Sequence, residues 1–279
     1  MCVVGAGTMG SGIALAAALK NFPVILCDIS DGVIESAKTA IAKNLQFLLD
    51  KEKITADEKQ GVEQNIRFTS EINKCQADII IEAIVEKLSV KEKLFLQLAS
   101  INSTNTILAS NTSSLHISDI QKNISNPKRV VGMHFFNPAH VMKLVEVVQG
   151  EHTSAAVAGE VMDLCKKMNK TPVLCKDAPG FIVNRVARHY YLEAMYLVQN
   201  NIAGIENVDA AMEAAGFKMG PFRVMDLIGM DINLSVTTSL YEAFGQAERF
   251  KPAQLQIEKV NKGELGRKTG KGFYIYSKS

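Results

Sequence analysis

Hydrophobic positions along the chain come first in short β-branched runs separated by helical stretches. The opening MCVV reads as a strand, followed by SGIALAAALK with helical character; Pro23-Val-Ile-Leu-Cys27 reads as a second strand. Two helical patterns follow, Asp31 to Asp50 and Thr55 to Gln64, with Asp31 and Thr55 as expected N-caps. Together they exceed what one crossover needs, and a helical hairpin standing out from the sheet is expected. Strands follow at Ile66-Arg-Phe-Thr69, Ala77-Asp-Ile-Ile-Ile81 and Thr106-Ile-Leu-Ala109, with a helix from about Ser89 to Ala99. Val130 to Met133 and Met142 to Val148 flank a loop holding Asn137-Pro138. A helical pattern over 153 to 169 and the run Pro172-Val-Leu-Cys175 close this part. At Asp177-Ala-Pro179-Gly180 a turn signal intervenes, and from Phe181 onward the period is helical almost throughout. The alternation predicts an α/β fold with a mostly parallel sheet over 1–178, followed by a smaller all-helical domain over 179–279.

Composition narrows the class without deciding it. The chain has 279 residues, 47% hydrophobic and 22% charged, enough for substantial cores. A net charge of +2 argues against nucleic acid or a membrane surface as the main partner. Ile13 to Leu19 is too short to span a bilayer. Five cysteines without a CxxC pair read as free thiols in a reducing compartment, so a cytoplasmic protein is expected and no metal site.

The candidate chemistry gathers at strand ends. Gly5-Ala-Gly7-Thr8-Met9-Gly10 is a G-x-G-x-x-G loop between a strand and a helix, the context of a Rossmann-type dinucleotide site. Its glycines permit the tight turn and the approach of a pyrophosphate to the helix N-terminus. Asp28, closing the second strand, would accept hydrogen bonds from the adenosine ribose and repel a 2′-phosphate, which favours NAD over NADP. Glu86, Ser113 and His134 also fall beyond the C-terminal ends of strands, where open α/β sheets bind ligands. Glu146 sits between Leu144-Val145 and Val147-Val148, where a carboxylate is costly unless a cation or donor meets it. His134 on the neighbouring strand is the candidate, giving an oriented general base; a solvent-facing Glu146 and a core histidine are the bland alternative. Asn184 shares a helical face with Ala187, Tyr191, Ala194 and Val198, so it either meets a polar ligand or serves as a local cap. Lys38, Lys43, Lys51 and Lys53 on the hairpin read first as a solvated face.

Collected, the segments GAGTMGSGIA, NTSSL, GMHFFNPAHVMKLVEVV, DAPGFIVNRV, GPFRVMDLIGMD and GRKTGKGFY make the chain resemble the short-chain L-3-hydroxyacyl-CoA dehydrogenases, bacterial 3-hydroxybutyryl-CoA dehydrogenases in particular. The resemblance implies His134 as base, Glu146 as its partner, and Ser113 and Asn184 as substrate contacts. It implies NAD contacts at the glycine loop, Asp28, Glu86, Lys91, Asn137 and Lys268, and a CoA contact at Lys51. It further implies an acyl-CoA substrate and a homodimer built through the helices after residue 180. His140 stands where the family usually has proline, and the first strand starts closer to the beginning than is common. A dehydrogenase of other hydroxyacids, a structural relative like the λ-crystallins and a non-catalytic NAD sensor are the rival readings. The hairpin argues against the first, the Ser113, His134, Glu146 and Asn184 set against the second; the third would need no buried His–Glu pair.

Overall fold

The computed structural model describes residues 1–277, which divide after Ala178 into two compact units. In the first, β1 (Cys2–Val4), α1 (Thr8–Ala18), β2 (Val24–Cys27), α2 (Asp31–Asp50), α3 (Ala56–Asn65) and β3 (Ile66–Thr69) form one half. The other half runs β4 (Ile79–Glu82), α4 (Leu88–Ile101), β5 (Ile107–Ser110), α5 (Ile117–Gln121), β6 (Val130–Phe135), β7 (Leu144–Gln149), α6 (Ala155–Lys167) and β8 (Thr171–Lys176). The eight strands lie in the order β3-β2-β1-β4-β5-β6-β7-β8. All neighbours are parallel except β6 and β7, which are antiparallel. The strand order reverses between β1 and β4, so their C-terminal ends border the crevice where ligands of this architecture bind. This is a Rossmann-type sheet.

Burial on both faces explains the unbroken apolar runs of β1, β4 and β5. Side chains such as Ile13, Leu15, Leu26 and Ile81 are wholly shielded, each contributing roughly 1.5–3 kcal/mol of transfer free energy. The α2–α3 pair does not stand clear along its whole length. Ala37, Ile41 and Leu45 of α2 and Val62 of α3 join the same core as α1, and the stretch 46–61 carries no buried side chain. The apolar spacing of α2 is what docks it. Ser30, not Asp31, caps α2, its side chain accepting from the Val33 N–H; Asp31 instead places a carboxylate in the first turn, where the helix dipole favours it. Thr55 caps α3 in a reciprocal capping box with Glu58. The short α5 was not expected from the sequence.

The second unit comprises α7 (Val183–Gln199), α8 (Ile205–Ala214), α9 (Pro221–Ile228), α10 (Met230–Ala243) and α11 (Gln254–Asn261), followed by an irregular C-terminal segment. Its core gathers Leu192, Met195, Phe222, Met225 and Met230, with Phe273 and Tyr274 packed against it. Two buried carboxylates tie the chain together. Asp226 accepts from the Phe273 and Tyr274 N–H groups and the Tyr276 hydroxyl, and Asp209 from the Phe222 and Arg223 N–H groups and the Tyr274 hydroxyl. A side chain at Gly272 would collide with the Asp226 carboxylate. The GPFRVMD and GKGFY segments therefore hold the fold of this unit.

Candidate active site

The glycine loop leaves β1 with Gly5 at φ +99°, and a Cβ there would lie 2.6 Å from the Ala83 carbonyl oxygen. A Cβ at Gly10 would strike the Gly5 carbonyl. Only glycine permits this loop and the close approach of α1 to β1. Gly7 and Thr8 are exposed and Met9 partly so, at the N-terminus of α1, where unpaired N–H groups favour an anion. Asp28 is held at the end of β2 by the Ala6 N–H (2.9 Å) and the Ser30 N–H (3.0 Å). A tight turn, an open helix N-terminus and an acid at the second strand's end fit a dinucleotide.

Across the sheet, the antiparallel register of β6 and β7 sets His134 directly opposite Glu146. His134 lies inside its strand, which runs one residue further to Phe135. The Nδ1 of His134 is 2.8 Å from Glu146 Oε2, and both residues are buried. An ionised carboxylate only accepts, so Nδ1 carries a proton, and in the neutral imidazole Nε2 keeps its lone pair. Nε2 lies 3.0 Å from Ser113 Oγ. Phe136 packs against the imidazole at 4.6 Å between ring centroids. The result is a carboxylate–imidazole–hydroxyl line at the C-terminal ends of β5 and β6.

Ser113 owes its position to Glu86. That carboxylate accepts from the Thr112 hydroxyl (2.5 Å), the Ser113 N–H (2.9 Å) and the Ser114 N–H (3.0 Å). Behind it, Lys91 is 1% exposed and pairs with Glu86 Oε2 at 3.2 Å and Glu82 Oε1 at 2.6 Å. Glu82, itself fully buried, also accepts from the Ser110 hydroxyl and the Ile84 N–H. Burial opposes ionisation of Glu86, but the Lys91 charge and the Thr112 and Ser113 donors outweigh it and hold its carboxyl below the ordinary range. Lys91 thus faces inward, toward two carboxylates. Asn111 fastens the same loop to the sheet by accepting from the Phe135 N–H at 2.8 Å. Glu82, Ser110, Asn111 and Thr112 carried no individual role in the sequence reading; the small polar run from the end of β5 was the only signal for the last three, and Glu82, closing β4, had none.

Asn137 is exposed in the loop that follows β6. Lys170, buried, secures that loop by donating to the Ala139 carbonyl (2.6 Å) and the Met142 carbonyl (2.8 Å). Burial, with Lys143 nearby, pushes the Lys170 ammonium down to about 8. Burial and then Lys170 also lower His140. Lys51 is exposed at the end of α2, its ammonium 5.9 Å from the Phe47 ring centroid. In the second unit Asn184 is half-buried in the first turn of α7. Lys268 pairs with Asp231 at 2.5 Å, and although burial works against it, this contact keeps the Asp231 carboxyl low. A cavity of about 510 Å³ at the opposite ends of β4, β5 and β6, lined by residues including Asp78, Arg129, Glu160 and Lys167, touches none of these groups. Among the described residues no His, Cys, Asp and Glu cluster could hold a metal, and no helix is long and apolar enough to cross a membrane.

A Rossmann-type unit with an imidazole–carboxylate pair at its ligand-binding edge defines a nicotinamide-dependent dehydrogenase class. The family described as "3-hydroxyacyl-CoA dehydrogenase, NAD binding domain" matches residues 1–178, and its "C-terminal domain" matches 180–276. The chain belongs to the 3-hydroxyacyl-CoA dehydrogenase family. It is 45% identical to a 3-hydroxyadipyl-CoA dehydrogenase of Escherichia coli (strain K12), across 98% of this chain but 58% of that protein's length. Identity to a probable 3-hydroxybutyryl-CoA dehydrogenase of Bacillus subtilis is 41%, covering 98% of this chain and 96% of the relative. The solved structure of an (S)-3-hydroxybutyryl-CoA dehydrogenase from Ralstonia eutropha superimposes with a TM-score of 0.94 at 39% identity, covering 99% and 98% of the two chains.

Proposed function

We propose that this protein interconverts (S)-3-hydroxyacyl-CoA and 3-oxoacyl-CoA esters of short chain, 3-hydroxybutyryl-CoA among them, with NAD. The observation that carries this reading is the Glu146–His134–Ser113 line, 2.8 and 3.0 Å between successive members, beside a loop shaped for a dinucleotide. Bound NAD supplies the acceptor for the hydride that leaves C3. His134 Nε2 takes the proton of the 3-hydroxyl, and Glu146 holds Nδ1–H and stabilises the imidazolium that results. Ser113 donates to the reacting oxygen, and Asn184 is its second contact. In the reverse direction His134 returns the proton. The open N-terminus of α1 would hold the pyrophosphate and Asp28 the ribose, with Glu86, Asn137 and Lys268 as further cofactor contacts. Lys91 serves that site through Glu86, and Lys51 is assigned to a CoA phosphate.

Residues 1–178 act in this reading as the cofactor-binding domain and residues 179–279 as the substrate and dimerisation domain of a cytoplasmic homodimer. Leu227, Ile228 and Ile232, exposed on α9 and α10, support the dimer, which light scattering would test. The deciding experiment is oxidation of NADH by acetoacetyl-CoA, followed by absorbance. Turnover with NADH well above that with NADPH is expected, given Asp28. No turnover with any acyl-CoA would leave a structural or sensing relative; turnover of free hydroxyacids alone would point to the non-CoA enzymes.

A further inference from the structure

Arg188 lies on the inner face of α7 and is 2% exposed. Its Nη1 donates to the Asn233 carbonyl (3.0 Å), the Asn233 side-chain oxygen (3.1 Å) and the Thr237 hydroxyl (2.9 Å). Gln256 completes the cluster, its amide donating to Asn233 Oδ1 and Thr237 Oγ1. Asn233, Thr237 and Gln256 are all neutral and each at most 1% exposed. Among the described residues no carboxylate forms an ion pair with this guanidinium, which lies 5.2 Å from the Tyr191 ring centroid. Arg188 Nε and Asn233 Nδ2 are buried donors without a partner, and Gln256 Oε1 is a buried acceptor without one. Burial draws the Arg188 group down to about 10, so it remains protonated at neutral pH. A buried cation without an anion is costly, and the idle N–H of the guanidinium with the idle amide of Asn233 would suit a carboxylate. Arg188 also falls one helical turn after Asn184 on the same face of α7, about 6 Å along the axis.

We propose that Arg188, with Asn233, forms a subsite for a second carboxylate at the far end of the acyl chain, so that the preferred substrates are 3-hydroxyacyl-CoA esters of dicarboxylic acids. This rests on the oxidoreductase reading above and on Asn184 contacting the reacting oxygen. With that oxygen at Asn184, a carboxylate a few methylenes further along the chain arrives one turn away, at the guanidinium. Arginine suits this role, because its planar fork meets a carboxylate edge-on and costs less to desolvate than an ammonium. Gln256 and Thr237 hold Asn233, and Asn233 and Thr237 hold Nη1, leaving the Nε edge for the ligand. An uncharged acyl tail would leave the buried charge unmatched.

The test compares 3-hydroxyadipyl-CoA with 3-hydroxyhexanoyl-CoA, which differ only in a terminal carboxylate against a methyl. In the unmodified protein the ratio of their kcat/KM values should favour the dicarboxylic ester by at least about tenfold, as for a site built around a polar group of its substrate. In Arg188→Leu the ratio should fall to about one or below, and Arg188→Lys should recover part of it. A ratio near one in the unmodified protein overturns the proposal whether or not either variant folds. So does a strong preference that survives Arg188→Leu. Failure to turn over any acyl-CoA, acetoacetyl-CoA included, removes the oxidoreductase reading and this proposal together; turnover of acetoacetyl-CoA with no dicarboxylic preference removes only this one.

Discussion

In the first unit the buried basic side chains Lys91 and His134 each meet a carboxylate, Glu82 at 2.6 Å and Glu146 at 2.8 Å. In the second unit the buried carboxylates Asp209 and Asp226 are met by backbone N–H groups and tyrosine hydroxyls, while Arg188 meets only neutral groups. The two solutions serve different ends. A pair of charged side chains on separate strands and loops fixes the orientation of one against the other, which chemistry requires. A carboxylate that collects N–H groups from a distant segment fixes where the backbone runs. The phenols record this second arrangement: burial and then Asp226 push Tyr276 up to about 12, and burial and then Asp209 raise Tyr274 as well. Buried ion pairs in the first unit orient one side chain against another, and buried carboxylates in the second hold the fold; Lys170 and Arg188 stand outside both patterns.

The largest effect expected from breaking this contrast is on rate. His134→Gln and Glu146→Gln should each lower kcat by roughly 10²–10⁴-fold, with NADH affinity largely retained. The double variant should be little worse than either single one, because the two act as a unit. Stopped-flow turnover and NADH titration would check this. Additive losses, or near-normal kcat in folded Glu146→Gln, would mean the pair is structural.

Next comes a matched pair of carboxylate changes. Glu82→Gln leaves Lys91 buried with Glu86 alone, which should cost about 3–5 kcal/mol of stability and also lower kcat, because Glu86 then holds Ser113 less firmly. Asp226→Asn should cost roughly 1.5–3 kcal/mol but leave kcat near normal in the folded fraction. Urea unfolding alongside steady-state kinetics separates the two. A kcat loss in Asp226→Asn as large as that in Glu82→Gln would erase the distinction.

Much of this was legible in the chain itself. The glycine loop, the strands of the parallel sheet and the placement of His134 and Glu146 on adjoining strands follow from period and turn residues, because buried parallel strands have no polar face to confuse the pattern. Other features were hidden for physical reasons. Ser30 rather than Asp31 caps α2, since either side chain can serve and backbone geometry decides. Lys91 entered only as an NAD contact implied by the resemblance; its burial depends on Glu82 and Glu86 closing over it from β4 and the loop beyond, a contact with no local period. Arg188 shares the face of Asn184 that the helical period already marked as inward, but nothing in sequence tells a buried arginine from a snorkelling one.

A smaller effect concerns Lys170, the buried cation of the first unit that meets carbonyls instead of a carboxylate. Its folded value is about 8 against 10.5 for the free group, so the folded state disfavours the charged form. Between pH 8 and 10.5 the unfolded chain therefore binds more protons, and the Lys170 contribution to stability should rise with pH across that window. Below it the penalty for the buried charge is present in full. Comparing unfolding free energies of the unmodified protein and Lys170→Met at pH 7.5 and 9.5 should show the difference moving in favour of the lysine at the higher pH. The opposite trend would mean that the ammonium is better stabilised by the two carbonyls than its burial implies.

The smallest change tests an assigned cation that lies outside both arrangements. Lys51 is exposed at the tip of the helical pair, where no buried side chain constrains it and Phe47 lies beneath its ammonium. A group so placed contributes through long-range attraction in water, which is worth little at one contact and is screened by salt. If it meets a CoA phosphate, it does so equally in the ground and transition states, because the phosphate is remote from C3. Lys51→Glu should then raise KM for acetoacetyl-CoA by roughly threefold to tenfold at low ionic strength, with kcat unchanged. The increase should shrink as salt is added, since reversing an exposed charge acts over a distance comparable to the Debye length of about 10 Å at 0.1 M. A fall in kcat at constant KM would instead place Lys51 in the reacting geometry, and a KM effect that persists unchanged at high salt would argue for a packing role through Phe47.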